Sequence, residues 1–228
     1  MNIGLIVAAG RGHRFGGPLP KQYRELAGMP ILRHTILRLK RHPGIDAIQV
    51  LIHPDDQALY DAATAGLGLR PALHGGATRQ DSVRLGLEGI ADLRPQNVLI
   101  HDAVRPFVAM ETIAAVLAAL ERVPAAIAGV PLADTLKRVT DGAITETVDR
   151  RNLWRAQTPQ GFDYAAILAA HRNAVTEQAG LELTDDAMVA EKAGLTVEMV
   201  AGSEENFKIT TETDLQRAEI LLRLEAGK

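Results

Sequence analysis

The chain has 228 residues, of which 46% are hydrophobic and 23% are charged, and it contains no cysteine. Disulfide frameworks, thiolate metal sites and cysteine nucleophiles are therefore excluded. The net charge of -3 and the aromatic content of 4% argue against general nucleic-acid binding, which uses basic surfaces and base-stacking side chains. An anionic ligand would thus have to meet a local cationic pocket.

No stretch of the sequence approaches the ~20 apolar residues that a membrane helix needs. Residues 1–7 have no charged segment ahead of their apolar run, so a signal peptide is not expected. We therefore expect a cytoplasmic protein with neither membrane nor nucleic-acid partners. Because no Pro/Gly/Ser-rich linker divides the sequence, we expect residues 1–228 to form a single domain.

Short apolar runs alternate along the chain with longer amphipathic stretches. This alternation predicts an α/β fold, in which a mostly parallel sheet is covered by helices on both faces. The predicted strands, in chain order, are Ile3–Ala8, Ala47–Ile52, Asn97–His101, Ala125–Val130 and Thr196–Val200. The predicted helices are Ile31–Arg41, Asp55–Ala65, Arg79–Ile90, Met110–Glu121, Tyr164–Glu177, Asp185–Ala193 and Thr213–Leu224.

One segment, Asp134–Asp149, departs from this alternation. It consists of β-prone stretches on either side of Asp141-Gly142, and Asp-Gly in that position is a strong signal for a β-hairpin. Its residues are largely polar, and a two-stranded ribbon is only marginally stable alone in water. The hairpin is therefore either a surface excursion or an arm that reaches out to pair with something.

A glycine-rich loop follows the first predicted strand and carries cationic side chains. Residues 8–21 read AAGRGHRFGGPLPK, and glycines let backbone N–H groups approach an anion closely. Ligands of open α/β sheets bind at this edge, where Arg14 and Lys21 offer the fixed positive charge that a triphosphate requires. The loop is neither a P-loop, which needs Gly-Lys-Ser/Thr, nor a dinucleotide fingerprint, because Gly16 comes one position late.

A second glycine-rich turn, residues 74–82, leads into the third predicted helix. The spacing favours an ordinary capped helix start with Thr78 as the N-cap. The alternative is a site for a base or ribose formed by Gly76, Arg79 and Ser82.

Asp102 follows the third predicted strand, and Arg105 comes shortly after it. A carboxylate in this position can hold Mg²⁺ or a ribose hydroxyl, and the arginine can clamp a phosphate. The alternative is a solvated Asp–Arg pair around a turn. Taken singly, Lys208 is typical of a solvated lysine on a short edge strand, and Thr184 with its two following acids is typical of a helix N-terminus.

Taken in order, these motifs closely resemble those of the 2-C-methyl-D-erythritol 4-phosphate cytidylyltransferases. The resemblance extends over about residues 3–215 and rests on AAGRGHR, PKQY, GGATRQDSV, HDAVRP, DTLKR, DR…W…TPQ, TDDA and NFKIT. It implies a Rossmann-like nucleotidyltransferase that uses CTP and Mg²⁺ in the non-mevalonate isoprenoid pathway. It also implies a homodimer joined through a protruding β-arm, residues 134–150.

The resemblance also implies roles for individual residues. Arg14 and Lys21 would stabilise the transition state, and Arg150 and Lys208 would position the methylerythritol phosphate. The CTP site would comprise Ala8, Ala9, Gly10, Gly12, Gly76, Arg79, Ser82, Asp102 and Ala103, with Asp102 also the metal ligand. The substrate contacts would be Arg105, Thr135, Thr158 and Thr184.

Other functions stay open at this point. A ribitol 5-phosphate cytidylyltransferase would run the same chemistry on another polyol phosphate, and a nucleotide-binding regulatory module would keep the fold without turnover. A nicotinamide-dependent reductase is disfavoured because its fingerprint is missing.

Some relatives continue into a fused cyclodiphosphate synthase, and nothing after Lys208 indicates such a second domain.

Overall fold

The apolar runs predicted as strands pair into one central sheet. The computed structural model describes residues 1–11, 19–177 and 183–227. Its strands are β1 Asn2–Ala8, β2 Glu25–Leu26, β3 Met29–Pro30, β4 Ala47–Ile52, β5 Leu73–His74, β6 Asn97–Asp102, β7 Ala125–Pro131, β8 Leu136–Thr140, β9 Ala143–Val148, β10 Trp154–Asp163 and β11 Val197–Ala201. The 7-stranded sheet has the order β11-β7-β10-β6-β1-β4-β5, and every neighbouring pair is parallel except the pairs that β10 makes with β6 and β7.

Helices cover both faces of this sheet, as predicted. They are α1 Ile31–Lys40, α2 Gln57–Thr64, α3 Arg79–Gly89, α4 Met110–Ala119, α5 Tyr164–Glu177, α6 Asp186–Lys192 and α7 Glu212–Ala226. Helices α1, α2 and α4 share one buried apolar cluster, to which β1 contributes Ile6. Helices α3, α5 and α6 share a second cluster, to which β1 contributes Leu5. Adjacent residues of β1 thus serve opposite cores, because side chains alternate across a strand.

The antiparallel strand β10 is the element that sequence patterning missed. Its residues, WRAQTPQGFD, are rich in polar groups and include Pro and Gly, which are depleted in strands. They fit here because the register shifts between Ala156 and Gln160 and because buried Gln157, Thr158 and Gln160 form side-chain hydrogen bonds. The strand is stabilised by tertiary contacts that no local pattern encodes.

Other differences lie at element ends. The helix predicted from Asp55 begins with a 3-10 turn over Pro54–Asp56 before α2 continues. The short strand expected around Lys208 does not form, and this lysine lies in the extended connection between β11 and α7. That connection is fixed to the fold by Ile209, whose N–H donates to the carbonyl of Val104 at 3.0 Å.

The predicted hairpin is confirmed. Strands β8 and β9 pair antiparallel as a separate 2-stranded sheet. At the turn, Asp141 and Gly142 have φ values of 50° and 80°, as a two-residue turn of type I′ requires. Nearly all hairpin side chains are exposed, so the segment projects from the domain. In the described part of the chain, no helix is both long and apolar enough to span a bilayer.

Candidate active site

A cleft of about 430 Å³ opens at the carboxyl ends of β1 and β6 and at the start of α3. Ten of the sequence-predicted site residues line it: Ala8, Ala9, Gly10, Lys21, Gly76, Arg79, Ser82, Asp102, Ala103 and Lys208. Gly12 and Arg14 lie outside the described residues. The parallel sheet explains this convergence, because strand ends that are far apart in sequence meet at one edge.

The beginning of the first loop is fixed by a residue that sequence reasoning missed. Gln22, which is buried, donates from Nε2 to the carbonyl oxygens of Ala8 at 2.7 Å and Gly10 at 3.1 Å. Gln22 thereby ties the turn that carries Lys21 to the end of β1. The sequence signal that could have identified Gln22 is its position directly after Lys21, in PKQY.

Arg11 is a second residue missed from the sequence. Its guanidinium donates to Asp56 Oδ1 at 3.0 Å, pairs with Asp55 Oδ2 at 2.5 Å and contacts His53 Nδ1 at 2.8 Å. The acids belong to the turn after β4, so Arg11 attaches the loop to that neighbouring strand end. Arg11 and His53 also line the cleft.

The second glycine-rich turn begins a capped helix, as its spacing predicts, and its residues also line the cleft. Thr78 is the N-cap of α3 and accepts from the N–H of Asp81 at 3.0 Å, as predicted. The Ser82 hydroxyl accepts from the N–H of Gly76 at 3.0 Å. A Cβ on Gly76 would lie 2.5 Å from Asp81 Cβ, so only glycine allows the backbone to come this close to α3.

Asp102 lies at the centre of the charged groups in the cleft. Its Oδ2 is 3.1 Å from Lys208 Nζ and accepts from Arg105 Nε at 3.1 Å. Burial would raise the pKa of Asp102, but the charges of Lys208, Arg105 and Arg79 outweigh it and hold that pKa well below its usual range. The carboxylate is therefore ionised at neutral pH.

Asp102 is also the only carboxylate among the described residues that line the cleft. No cluster of three or more His, Asp or Glu in the described ranges could enclose a metal ion. Magnesium is commonly held by one or two carboxylates together with substrate phosphates and water. A single ionised carboxylate fits that mode of binding and does not fit an all-protein metal cage.

A buried chain of hydrogen bonds lies behind Asp102. The N–H of Asp102 donates to the Thr158 hydroxyl at 3.1 Å, and that hydroxyl lies 2.9 Å from His101 Nδ1. His101 Nε2 lies 3.0 Å from the carbonyl oxygen of Arg105, so Nε2 carries the proton and Nδ1 accepts from Thr158. Burial lowers the pKa of His101 to about 4, and the ring is neutral at physiological pH.

Besides Thr158, four residues that the sequence analysis assigned to substrate contact or substrate positioning do not line the cleft. Arg105 is largely buried and donates to Asp102 and, at 2.7 Å, to the carbonyl of Asn206. The Asp–Arg pair that the sequence analysis gave as an alternative therefore forms, but it is not solvated. Thr135 and Arg150 are exposed at the two ends of the hairpin. Thr184 is exposed just before α6, whose N-cap is Asp185.

The comparisons with known proteins agree with this geometry. Residues 3–224 match the family described as 2-C-methyl-D-erythritol 4-phosphate cytidylyltransferase. A protein of that name from Cereibacter sphaeroides is 48% identical, with 98% of this chain and 97% of the relative covered. A "Bifunctional enzyme IspD/IspF" from Paramagnetospirillum magneticum is 60% identical, with 95% of this chain covered. The chain spans 56% of the length of that bifunctional relative.

A solved structure has the same architecture. The 4-diphosphocytidyl-2C-methyl-D-erythritol synthase of Anaerococcus prevotii superposes with a TM-score of 0.84 at 28% identity, with 97% of this chain and 96% of the other covered. The resemblance inferred from the motifs is thereby confirmed. Because the family match extends over nearly all of the sequence that builds the cleft, the chain belongs to the 2-C-methyl-D-erythritol 4-phosphate cytidylyltransferase family.

Proposed function

We propose that the protein transfers the cytidylyl group of CTP to 2-C-methyl-D-erythritol 4-phosphate in the cytoplasm, releasing pyrophosphate in a step of isoprenoid precursor synthesis. The observation that carries this proposal is the cationic cleft, lined by Lys21, Arg79 and Lys208, in a chain of this family whose net charge is negative. Absence of cysteine fits a reducing compartment.

The reaction joins two anions, so charge repulsion is its main obstacle. A phosphate oxygen of the acceptor forms a bond to the α-phosphorus of CTP, and the bond from that phosphorus to the bridging oxygen of pyrophosphate breaks. Lys21 and Arg14 would neutralise charge that builds up on the five-coordinate phosphorus. The nucleophile is already an anion and needs no general base, which agrees with the neutral, buried state of His101.

The acceptor phosphate needs cations of its own. Lys208 lines the cleft beside Asp102, and we propose that it holds the methylerythritol phosphate there. Arg150 would contribute from the hairpin, and Arg105, Thr135, Thr158 and Thr184 would complete the acceptor site. For Thr158 the role would be indirect, because its hydroxyl accepts from the N–H of Asp102 and so fixes the residue next to Lys208.

Asp102 would hold a magnesium ion together with phosphate oxygens of the nucleotide. When bound, that ion would neutralise part of the triphosphate charge. The carboxylate suits this role because nearby cations keep it ionised. Ala8, Ala9, Gly10 and Gly12 would present backbone N–H groups to the phosphates, and Gly76, Arg79, Ser82 and Ala103 would surround the cytidine.

We further propose a homodimer joined through the hairpin arm. The arm and its base expose large apolar side chains, with Val139 54%, Ile144 65% and Trp154 42% exposed. A two-stranded ribbon with this much exposed apolar surface is marginal by itself, and contiguous apolar patches mark interaction sites. A second copy of the chain would cover this surface.

The proposed activity is tested by pyrophosphate release from CTP in the presence of Mg²⁺ and methylerythritol 4-phosphate. We expect turnover by the wild-type chain and a loss of kcat on the order of 10²–10³ in Lys21→Ala, the scale of losing one transition-state donor. The KM values should change less, because this charge matters most in the transition state. The matched control is Lys192→Ala, which removes an exposed lysine at the end of α6.

Several outcomes would contradict the proposal. Equal or better turnover with ribitol 5-phosphate would change the acceptor, and equal use of ATP would contradict the cytidine pocket. If the protein binds CTP but releases no pyrophosphate from it with any acceptor present, the result would indicate a regulatory module.

A further inference from the structure

Asp186 is a fully buried carboxylate that the proposed reaction does not use. It is the first residue of α6, and its Oδ2 accepts from Arg79 Nη2 at 2.6 Å. An unpaired charge in this position would be strongly destabilising. Burial would raise the pKa of Asp186, but the charge and hydrogen bond of Arg79 together with His171 outweigh burial and keep the pKa below its ordinary value. Arg79 is the larger of these two stabilising influences on the carboxylate anion.

The position of Asp186 is fixed from behind by the sheet. Gln160 of β10 accepts from the N–H groups of Asp186 and Ala187, each at 3.0 Å, and donates to Asp185 Oδ2 at 2.8 Å. On the other side, Nε2 of the buried His171 lies 3.3 Å from Asp186 Oδ1. The backbone at the start of α6 is thus fixed to β10, and the carboxylate lies between His171 of α5 and Arg79.

Arg79, unlike the fully buried Asp186, is partly exposed to the cleft. It is the first residue of α3, its side chain is 31% exposed, and it lines the cleft. A long arginine side chain loses considerable rotamer entropy when it is held in one orientation. Among the described residues, Asp186 accepts the hydrogen bond that fixes this guanidinium, which leaves other donors of its five for a ligand.

A second carboxylate competes for Arg79. Asp102 also attracts this guanidinium, as the mutual effects on their pKa values show. Asp102 already contacts Lys208 and Arg105. If Asp186 lost its charge, Asp102 and the weaker influence of Asp185 would remain to attract Arg79.

We propose that Asp186 is a positioning residue for CTP binding: it holds Arg79 against α6, where the guanidinium faces the nucleotide and stays away from Asp102. This inference rests on the proposed function, since the ligand in question is the pyrimidine nucleoside triphosphate. Asp186 itself does not touch the ligand and acts through Arg79.

A double-mutant cycle on CTP affinity, measured by calorimetry, tests the inference. We expect Asp186→Asn to weaken CTP binding by roughly tenfold, and Arg79→Ala to weaken it at least as much. The double variant should bind CTP no more weakly than Arg79→Ala alone, because residues that act through one another are not additive. In turnover, Asp186→Asn should raise the KM for CTP while kcat and the KM for methylerythritol phosphate change by less than about threefold.

The matched control is Asp163→Asn, which removes a carboxylate that accepts from the N–H of Ala166 at the start of α5, at the end of β10 that pairs with Asn97, and should lower the melting temperature without the tenfold loss of CTP affinity. Asp186→Glu retains the charge, and we expect its CTP affinity to lie within about threefold of the wild-type value. This variant also serves as the test if Asp186→Asn fails to fold.

Additive losses in folded variants would overturn the inference, as would a folded Asp186→Glu chain that binds CTP as weakly as Arg79→Ala. In either case a wild-type chain that is active with CTP leaves the proposed function standing. A wild-type chain that does not bind CTP would overturn both.

Discussion

His101 shows how a single buried side chain couples the site to pH. Its Nδ1 must accept from Thr158 while its Nε2 donates to the carbonyl of Arg105, and a protonated ring has no acceptor. Protonation would therefore disrupt the hydrogen bond to the hydroxyl that holds the backbone of Asp102. Burial lowers the pKa of His101 from 6.5 to about 4, so the ring is neutral in the folded protein at physiological pH.

This shift predicts a loss of stability in mild acid. Between pH 6.5 and about 4 the unfolded chain binds a proton at His101 that the folded chain does not, so stability falls as pH falls through this window. The loss from this group is on the order of 3 kcal/mol and is complete below the folded-state pKa. Urea unfolding at several pH values should show a smaller loss in His101→Gln than in the wild-type chain.

The control for this measurement is His74→Gln, which makes the same exchange of residue type at an exposed position. Burial also lowers the pKa values of His34 and His42, and their contribution is common to all three chains. Identical losses in the wild-type and His101→Gln chains would show that His101 titrates normally in the folded protein.

At the scale of elements, the distance between α3 and the sheet is set by Gly86. A Cβ on Gly86 would lie 2.7 Å from Cδ1 and 2.9 Å from Cδ2 of Leu51, which is fully buried in β4. Alanine favours a helix over glycine by about 1 kcal/mol, but overpacking a filled core costs about 1–3 kcal/mol. The steric cost should therefore exceed the gain in helix propensity. The position of α3 matters for the site because its first residue, Arg79, lines the cleft.

We therefore expect Gly86→Ala to destabilise the protein by on the order of 1 kcal/mol in denaturant unfolding. In a Leu51→Val background, which shortens the opposing side chain, the same substitution should cost less or become stabilising. An equal cost in both backgrounds would mean that Leu51 is not the obstacle.

At the scale of the whole molecule, the hairpin arm raises the question of whether one chain contains a complete site. Lys21 and Lys208 line the same cleft, whereas Arg150 lies exposed at the returning end of the arm. If the arm covers a second copy, Arg150 completes the partner's site. Co-refolding Lys21→Ala with Arg150→Ala chains, each nearly inactive alone, would then create one intact site per mixed dimer. Activity should return to about a quarter of the wild-type value in a statistical mixture of symmetric dimers.

The matched control mixes Lys21→Ala with Lys208→Ala. Both lysines belong to one cleft of one chain, so mixing these two variants should restore no activity. If the Arg150→Ala mixture is equally inactive in a sample shown to contain mixed dimers, Arg150 does not act in trans, and the proposed transfer reaction is unaffected.

Sequence by itself determined the parallel sheet, the helices on both faces, the hairpin and most of the residues in the cleft. Hydrophobic periodicity and turn chemistry are local properties, and the glycine-rich loops and Asp102 follow strands that local patterns already identify. Parallel strands then bring their carboxyl ends together without further information. The sequence therefore predicts that Ala8, Ala9, Gly10, Gly76 and Asp102 lie at one edge of the sheet.

Only the tertiary structure decided the place of β10 and the pairing of the charges. Strand β10 is polar and becomes a strand because β6 and β7 supply its partners. The contact between Arg79 and Asp186 joins residues 107 positions apart, and the one between Thr158 and Asp102 joins residues 56 apart. The pairing of cations with carboxylates depends on burial and on the distance between elements. Neither property can be read from the residues that flank each charged residue in the sequence.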